Sequence, residues 1–176
     1  MDDDFQKVLV VGLGFRTGLA SANFLAKLGK DVTVTDIKTH DELKDIIEKL
    51  SSGVKVIAGF QSPSILDEGF DLIVLSPGVP VTIPLIQEAL KRGIPVVAEI
   101  ELAYRYMKGM IIGITGTDGK STTTSLTGHV LKELGFKAIV GGNIGIPLIS
   151  LVGETSDDSV AVIELSSFQL ETIDSF

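Results

Sequence analysis

The sequence contains no cysteine, has fewer basic than acidic side chains, and includes no apolar run of membrane-spanning length. Without cysteine neither a disulfide framework nor a thiolate metal site can form, which suits a reducing compartment. The net charge of −8 argues against a nucleic-acid-binding or membrane-surface protein, because both need a basic face. The acidic first residues are also unlike a basic secretory signal. We therefore expect a soluble cytoplasmic protein with no nucleic-acid or membrane partner.

The chain does contain regularly alternating apolar strands and amphipathic helices. Its 176 residues, 44% of them hydrophobic, suffice for one large domain or two small ones. Apolar, β-branched runs predict strands at residues 7–11, 32–35, 54–58, 71–75, 94–98, 111–115, 137–140 and 160–163. Helical spacing predicts helices between Gly14 and Gly29, at 40–50, at 83–92, around Glu101 to Tyr106, and at 125–134.

This alternation predicts an α/β fold in two parts. Residues 1–108 form five β/α units, which indicates a Rossmann-like domain with a parallel sheet. A new strand begins after Lys108-Gly109, so residues 109–176 are expected to be the first part of a P-loop ATPase α/β domain. Three strands would leave that second sheet incomplete, and the chain therefore resembles the front part of a longer protein.

A glycine loop followed by Lys-Ser stands between the predicted strand 111–115 and the helix after it. Its pattern is G-x-x-G-x-x-G-K-S, from Gly113 to Ser121. In such loops the backbone N–H groups and the helix N-terminus hold oxyanions, the lysine reaches the outer phosphates, and the hydroxyl can bind magnesium. The segment predicts an ATP site formed by Gly116, Thr117, Asp118, Gly119, Lys120, Ser121 and Thr122.

A different glycine pattern follows the first strand. Gly12, Gly14 and Gly18 give G-x-G-x-x-x-G, one residue longer than the dinucleotide fingerprint, and Asp36 ends the second strand. The extra residue is expected to widen the turn and to prevent close pyrophosphate approach at the third glycine. The pattern favours a related ligand in the same crevice over NAD.

Two further loops follow strands at the sheet edge where open α/β sheets bind ligands. Ser76-Pro77-Gly78-Val79-Pro80 is either a ligand-binding loop or a tight turn. In residues 141–147, Asn143 offers a hydrogen-bond donor and an acceptor among three glycines, with a simple glycine turn as the alternative.

Glu164 ends the last predicted strand, where a magnesium ligand is expected in a phosphate-loop domain. We predict that it shares one Mg²⁺ with Ser121, which would place their side chains within roughly 4 to 6 Å of each other. For the neighbouring Ser166 and Ser167, a helix N-cap is the competing interpretation.

These stretches together resemble the Mur ligases of peptidoglycan synthesis. The resemblance runs the whole chain, through residues 12–18, 76–80, 113–124, 141–147 and 164–171. The phosphate loop is shared with a wider superfamily that includes folylpolyglutamate synthases, whereas Glu-Leu-Ser-Ser-Phe-Gln-Leu-Glu is most similar to the D-glutamate-adding members. The family usually has Asn where this chain has Asp118.

The resemblance implies a three-domain, ATP-dependent acid–amino-acid ligase. It would add D-glutamate to UDP-N-acetylmuramoyl-L-alanine through an acyl-phosphate, with ATP and Mg²⁺, and would act as a monomer. Its closing domain would lie beyond Phe176, so the chain alone is expected to form no amide.

The same resemblance implies roles for individual residues. Lys120 would contact the γ-phosphate and Asn143 would be the second catalytic residue, while Ser121 and Glu164 would hold magnesium. The muramoyl-alanine arm or its magnesium would be contacted by Asn143, Ser166 and Gln169. The pyrophosphate would lie at Ser76, Pro77 and Gly78. The uracil would lie among Phe15, Arg16, Ile37 and Lys38, with Thr17 and Asp36 beside them.

Two other classes of protein remain open at this point. An NAD-dependent oxidoreductase would use the first glycine loop but leave the Lys120 loop without a role. A non-catalytic module would hold a nucleotide with the first domain alone.

Overall fold

The computed structural model describes residues 4–170 and 173–176, and its first part is a five-stranded parallel sheet. The strands are β1 (Lys7–Val11), β2 (Asp31–Asp36), β3 (Lys55–Ala58), β4 (Leu72–Leu75) and β5 (Val96–Ala98), in the order β3-β2-β1-β4-β5. The helices are α1 (Thr17–Lys27), α2 (His40–Ile47), α3 (Pro84–Lys91) and α4 (Glu99–Tyr106). Every strand predicted for this part is present, which confirms the Rossmann-like α/β fold class.

The central strands are apolar on both faces because both faces of the sheet are covered. Val8, Leu9, Val10 and Val11 of β1 are completely buried. Residues of β1 and β4 pack with α3 and with the 3-10 helix Pro63–Glu68, an element that the sequence did not predict. The core therefore lies against the middle of the sheet and leaves the ends of the strands free for loops.

Helix α2 begins with a capping box and ends earlier than predicted. The Thr39 hydroxyl accepts from the Glu42 N–H, and the Glu42 carboxylate accepts from the Thr39 N–H. After Ile47 the backbone N–H groups of Lys49 and Leu50 bond to carbonyls three residues back. The predicted helix to residue 50 is thus too long, because its last turn tightens to the 3-10 pattern.

The second part is a three-stranded parallel sheet in which the last strand lies in the middle. Its strands are β6 (Met110–Ile114), β7 (Lys137–Gly142) and β8 (Ser159–Glu164), in the order β6-β8-β7. The helices are α5 (Lys120–Glu133), α6 (Leu148–Leu151) and α7 (Ser167–Leu170), with a 3-10 helix at Val152–Glu154. Helix α5 begins at Lys120, five residues before the predicted start at Ser125, so the Lys-Ser pair belongs to its first turn.

Residue contacts divide the chain into two compact units, one ending at Glu99 and the other beginning at Ile100. Each sheet lies in its own unit. The domain boundary proposed from the sequence, at Lys108 and Gly109, lies at the other end of α4 and stays a prediction. None of the helices that the structure describes has the length and apolar character to cross a bilayer.

Within the second unit, Glu101 of α4 anchors the last described residues. Its buried carboxylate accepts hydrogen bonds from the backbone N–H groups of Asp174, Ser175 and Phe176 and from the Ser175 hydroxyl. The Tyr104 and Phe176 rings meet edge to face at 5.4 Å. These contacts fix residues 174–176 to α4, although more than seventy residues separate them in sequence.

Candidate functional site

Glu164, the last residue of the central strand β8, has hydrogen bonds to both carboxylate oxygens. The Ser121 hydroxyl donates to Oε2 at 2.6 Å, and the Asn143 side-chain amide donates to Oε1 at 2.8 Å. The Asn143 backbone N–H also donates to the Glu164 carbonyl at 2.8 Å. Glu164 is only 2% exposed. A carboxylate from a strand end, a hydroxyl from the first turn of a helix and an amide from a glycine loop are thus brought together at one edge of the sheet.

The proximity of Ser121 and Glu164 was predicted. The two side chains lie on the same face and edge, which confirms this expectation. Their oxygens are 2.6 Å apart, inside the predicted limit of roughly 4 to 6 Å, because the hydroxyl bonds directly to the carboxylate. Binding of one shared Mg²⁺ by the two stays a prediction.

The glycine loop before α5 depends on backbone conformations that only glycine adopts easily. Gly116 has φ 151° and Gly119 has φ 75°. Gly119 is the N-cap of α5 and has no side chain that could cap the helix. The first N–H groups of this 14-residue helix are therefore directed at whatever acceptor lies in front of the loop.

Lys120 folds back over the same loop. Its ammonium donates to the Gly116 carbonyl at 2.7 Å and to the Thr117 carbonyl at 3.3 Å. Thr117, Asp118 and Thr122 are exposed. The loop therefore presents one cation and a helix N-terminus to solvent, which is the arrangement that a polyphosphate requires.

The glycines after β7 allow the close approach that places Asn143. Gly142 has φ 99°, and a Cβ there would lie 2.5 Å from the Glu164 carbonyl oxygen. A Cβ on Gly141 would collide with the Leu151 side chain. The loop is therefore a tight glycine turn that holds Asn143 against Glu164. Contact of Asn143 with a ligand stays a prediction.

Ser166 and Gln169 form a capping box at the start of α7. The Gln169 side-chain oxygen accepts from the Ser166 N–H at 2.9 Å and from its hydroxyl at 3.0 Å, while the Gln169 N–H donates to Ser166 Oγ at 3.3 Å. The N-cap interpretation is thus confirmed for Ser166. Contact of these two residues with substrate stays a prediction.

In the first unit, the buried side chain of Ser76 is hydrogen-bonded to the first glycine loop. Its hydroxyl donates to the Gly12 carbonyl at 2.7 Å, and Ser76 is only 8% exposed. Pro77 is exposed beside it, and Gly78 turns the chain with φ 89°. A Cβ on Gly18 would collide with the same Gly12 carbonyl. Gly18 therefore permits close packing of α1 on the first glycine loop, although the pattern G-x-G-x-x-x-G is one residue longer than the dinucleotide fingerprint.

Asp36 connects the ends of β1 and β2. Its carboxylate accepts from the Leu13 N–H at 2.6 Å and from the Lys38 N–H at 2.9 Å. Ile37 directly follows Asp36 and is 73% exposed, and Phe15, two residues after Leu13, is 55% exposed.

Other predicted substrate residues lie on the same two loops. The Lys49 ammonium lies 5.0 Å from the centre of the Phe15 ring. Arg16 is the N-cap of α1 and Thr17 its first residue. The structure thus places the predicted uracil residues at neighbouring strand ends.

The sequence interpretation missed Phe60, which follows β3 at the same edge. Its N–H donates to the Asp36 carbonyl at 3.3 Å, its carbonyl accepts from the Thr35 hydroxyl at 2.7 Å, and its side chain is 49% exposed. An aromatic residue directly after Gly59 at a strand end was the available signal.

Two family models match the chain. Residues 6–98 match the model described as "Mur ligase MurD-like, N-terminal domain", and residues 114–175 match "Mur ligase middle domain". The first match alone accounts for more than half of the chain, and the second contains the loop of Lys120 together with Glu164.

Named relatives agree with these models. The UDP-N-acetylmuramoylalanine--D-glutamate ligase of Solibacter usitatus is 49% identical over 170 residues, covering 97% of this chain and 37% of the relative. The ligase of the same name from Koribacter versatilis is 49% identical over 177 residues, covering 100% and 39%. The solved UDP-N-acetylmuramate-alanine ligase from Thermotoga maritima shares the fold, with a TM-score of 0.51 and 24% identity over 92% of this chain and 37% of that one.

The chain therefore spans 37 to 39% of the length of these two curated relatives. Since the first sheet, strands β7 and β8 of the second sheet and the loop of Lys120 all fall within the matched residues, the chain belongs to the Mur ligase family.

Proposed function

We propose that this chain provides the UDP-sugar-binding part and the ATP-binding part of a ligase that adds D-glutamate to UDP-N-acetylmuramoyl-L-alanine. One observation carries the proposal. The side chains of Ser121, which follows the glycine loop, and of Asn143 both donate hydrogen bonds to the carboxylate of Glu164. Identity of 49% to ligases of that name supports the choice of amino acid. Membership of the Mur ligase family gives no support to the alternative of an NAD-dependent oxidoreductase. A non-catalytic module that uses the first unit alone would leave the Lys120 loop without a role.

ATP is proposed to bind at the loop before α5. Lys120 would exchange its bonds to the Gly116 and Thr117 carbonyls for phosphate oxygens, since a charged acceptor makes the stronger hydrogen bond. Gly116, Gly119 and the first turn of α5 would supply backbone N–H groups. Asp118 adds a negative charge near these phosphates, which favours binding of ATP together with a cation.

Magnesium fits the donors present at this position. Ser121 and Glu164 offer hard oxygen atoms in contact with each other, as Mg²⁺ requires when phosphates complete its shell. In residues 4–170 and 173–176, no three His, Cys, Asp or Glu side chains gather into a ready-made cage. The ion would therefore arrive with the nucleotide, and when bound it would neutralise charge on the phosphates.

The UDP-sugar is proposed to lie along the strand ends of the first unit. The uracil would lie among Phe15, Arg16, Ile37 and Lys38, with Thr17 and Asp36 beside them. The pyrophosphate would lie beside the turn formed by Ser76, Pro77 and Gly78. Asn143, Ser166 and Gln169 would contact the muramoyl-alanine arm. The exposed apolar side chains of Phe15 and Ile37 support a ligand at this edge.

The chemistry is proposed to be acyl-phosphate formation. An oxygen of the substrate carboxylate attacks the γ-phosphorus of ATP and ADP leaves. The amine of D-glutamate then attacks the acyl carbon, loses a proton and displaces phosphate. Lys120 would stabilise the developing phosphate charge and Asn143 would orient the reacting groups, so that catalysis rests on positioning and electrostatics. Both proposed substrates, ATP and the UDP-sugar, support the cytoplasm as the compartment, and a monomer is proposed as the working form.

Calorimetric titration of the 176-residue chain tests the proposal. We expect binding of UDP-N-acetylmuramoyl-L-alanine, weak binding of MgATP, and no heat with NADH. Incubation with ATP, the UDP-sugar and radiolabelled D-glutamate should give no amide, because the chain spans only part of its relatives. Binding of NADH without binding of the UDP-sugar would overturn the proposal.

A further inference from the structure

Three large apolar side chains are exposed at three neighbouring strand ends of the first sheet. Phe15 follows β1, Ile37 follows β2 and Phe60 follows β3, with exposed fractions of 55%, 73% and 49%. Because the sheet order is β3-β2-β1 and all pairings are parallel, these ends lie side by side at one edge. Large apolar groups gathered at a ligand-binding edge indicate a surface that a ligand covers.

Phe60 is held firmly in this position by its backbone. Its N–H bonds to the Asp36 carbonyl, and its carbonyl accepts from the hydroxyl of the fully buried Thr35. The preceding Gly59 N–H donates to the Lys38 carbonyl at 2.7 Å. These bonds tie residues 59 and 60 to the end of β2 and to Lys38, so the exposed ring is attached to a hydrogen-bonded backbone rather than to a free loop.

We propose that Phe60 is a specificity-determining residue that stacks on the uracil ring of the UDP-sugar. The inference rests on the proposed function and adds a residue to its base-binding end. A rigidly held aromatic ring next to fixed polar groups suits a flat heterocycle, because every nucleobase has a π face while its edge atoms need hydrogen-bond partners. The carboxylate of Asp36, positioned by the Leu13 and Lys38 N–H groups, provides such a partner beside it.

A single-tryptophan variant tests the stacking directly. The chain contains no tryptophan, so Phe60→Trp introduces the only indole. The matched control is Phe136→Trp, which changes a phenylalanine of similar exposure, 52%, between α5 and β7 in the other unit. Titration with UDP-N-acetylmuramoyl-L-alanine should quench the emission of the Phe60→Trp chain with the midpoint that calorimetry gives, and should leave the Phe136→Trp emission unchanged.

Affinity measurements supply the second readout. Phe60→Ala should weaken UDP binding roughly 5- to 100-fold, and Phe60→Tyr should retain it. Wild type should prefer UDP over 5,6-dihydro-UDP, whose ring is not planar, and Phe60→Ala should lose that preference. Phe136→Ala should bind UDP as wild type does.

Each remaining outcome overturns the inference. If wild type binds the UDP-sugar but Phe60→Ala keeps both affinity and ring preference, Phe60 does not contact the base while the proposed function stands. Quenching of the Phe60→Trp chain by ATP and not by UDP would assign the ring to another nucleotide. Failure of wild type to bind any UDP ligand would overturn the proposed function together with the inference.

Discussion

The hydroxyl of Ser121 donates to the carboxylate of Glu164 across 2.6 Å, although 43 residues separate the two in sequence. The contact joins the first turn of α5 to the end of β8, and thereby joins the glycine loop before α5 to a buried carboxyl group. Each of the following predictions tests part of this arrangement or of the units that hold it.

Glu164→Gln should weaken magnesium-dependent binding of ATP. The amide keeps the size of the side chain but removes the charge and one acceptor oxygen. Since hydrogen bonds to charged groups contribute about 1.5 to 3 kcal/mol, we expect roughly a 10- to 100-fold loss of MgATP affinity by calorimetry. Glu154→Gln, at the exposed 3-10 helix, is the control. Equal MgATP affinity in wild type and Glu164→Gln would contradict a magnesium role.

Lys120→Ala should lower MgATP affinity by a similar factor, because it removes the cation that lies over the phosphate loop. UDP-sugar affinity should change little, since Lys120 is assigned to ATP, and the uracil and pyrophosphate of the UDP-sugar are assigned to the first unit. Lys132→Ala, in the last turn of the same helix, controls for loss of a positive charge. A parallel fall in UDP-sugar affinity would show that the two ligands are wrongly divided between the units.

Gly142→Ala should destabilise the second unit more than Gly135→Ala does. Both glycines have positive φ, at 99° and 87°, so both substitutions add backbone strain. Only at Gly142 does the new Cβ also meet a backbone carbonyl, that of Glu164, at 2.5 Å, whereas Gly135 has open space. Overpacking should add about 1 to 3 kcal/mol to the loss of unfolding free energy in urea. Equal losses would mean that the Gly142 backbone moves aside easily.

The anchor at Glu101 should make stability depend on pH. Burial raises the pKa of this carboxyl, but hydrogen bonds from the Asp174 N–H, the Ser175 hydroxyl and N–H, and the Phe176 N–H outweigh it and hold the pKa below the usual value of 4.5. A lowered pKa means that the folded state prefers the carboxylate, so its stabilisation is complete above about pH 4.5 and is lost as the pH falls through the lowered value.

Glu101→Gln tests this dependence through thermal unfolding. The variant should melt below wild type at pH 7, and the difference should shrink as the pH is lowered toward 3. Glu133→Gln, at the exposed end of α5, should show no such convergence. A melting difference that stays constant with pH would rule out ionisation of Glu101 as its source.

Local sequence patterns predicted the strands. They also predicted that the loops after the strands lie at one edge of each sheet, because parallel β/α units bring the carboxyl ends of all strands to the same edge. Ser121, Asn143 and Glu164 each follow or end an apolar run, so their meeting follows from topology. The start of α5 was predicted five residues too late, because Thr122, Thr123 and Thr124 are β-branched and such residues are more typical of strands than of helices. The bonds of Glu101 to residues 174–176 have no periodic signal at all, since they depend on long-range packing.

The order of strands in the second sheet has a consequence for synthesis of the chain. Strands β6 and β7 are made first but do not pair with each other, because β8 must enter between them. Until residue 164 has been translated, two apolar strands have unpaired edges and the Lys-Ser loop lacks its carboxylate partner. The second sheet can therefore be completed only after β8 has been made, and until then the open edges of β6 and β7 can pair with other chains.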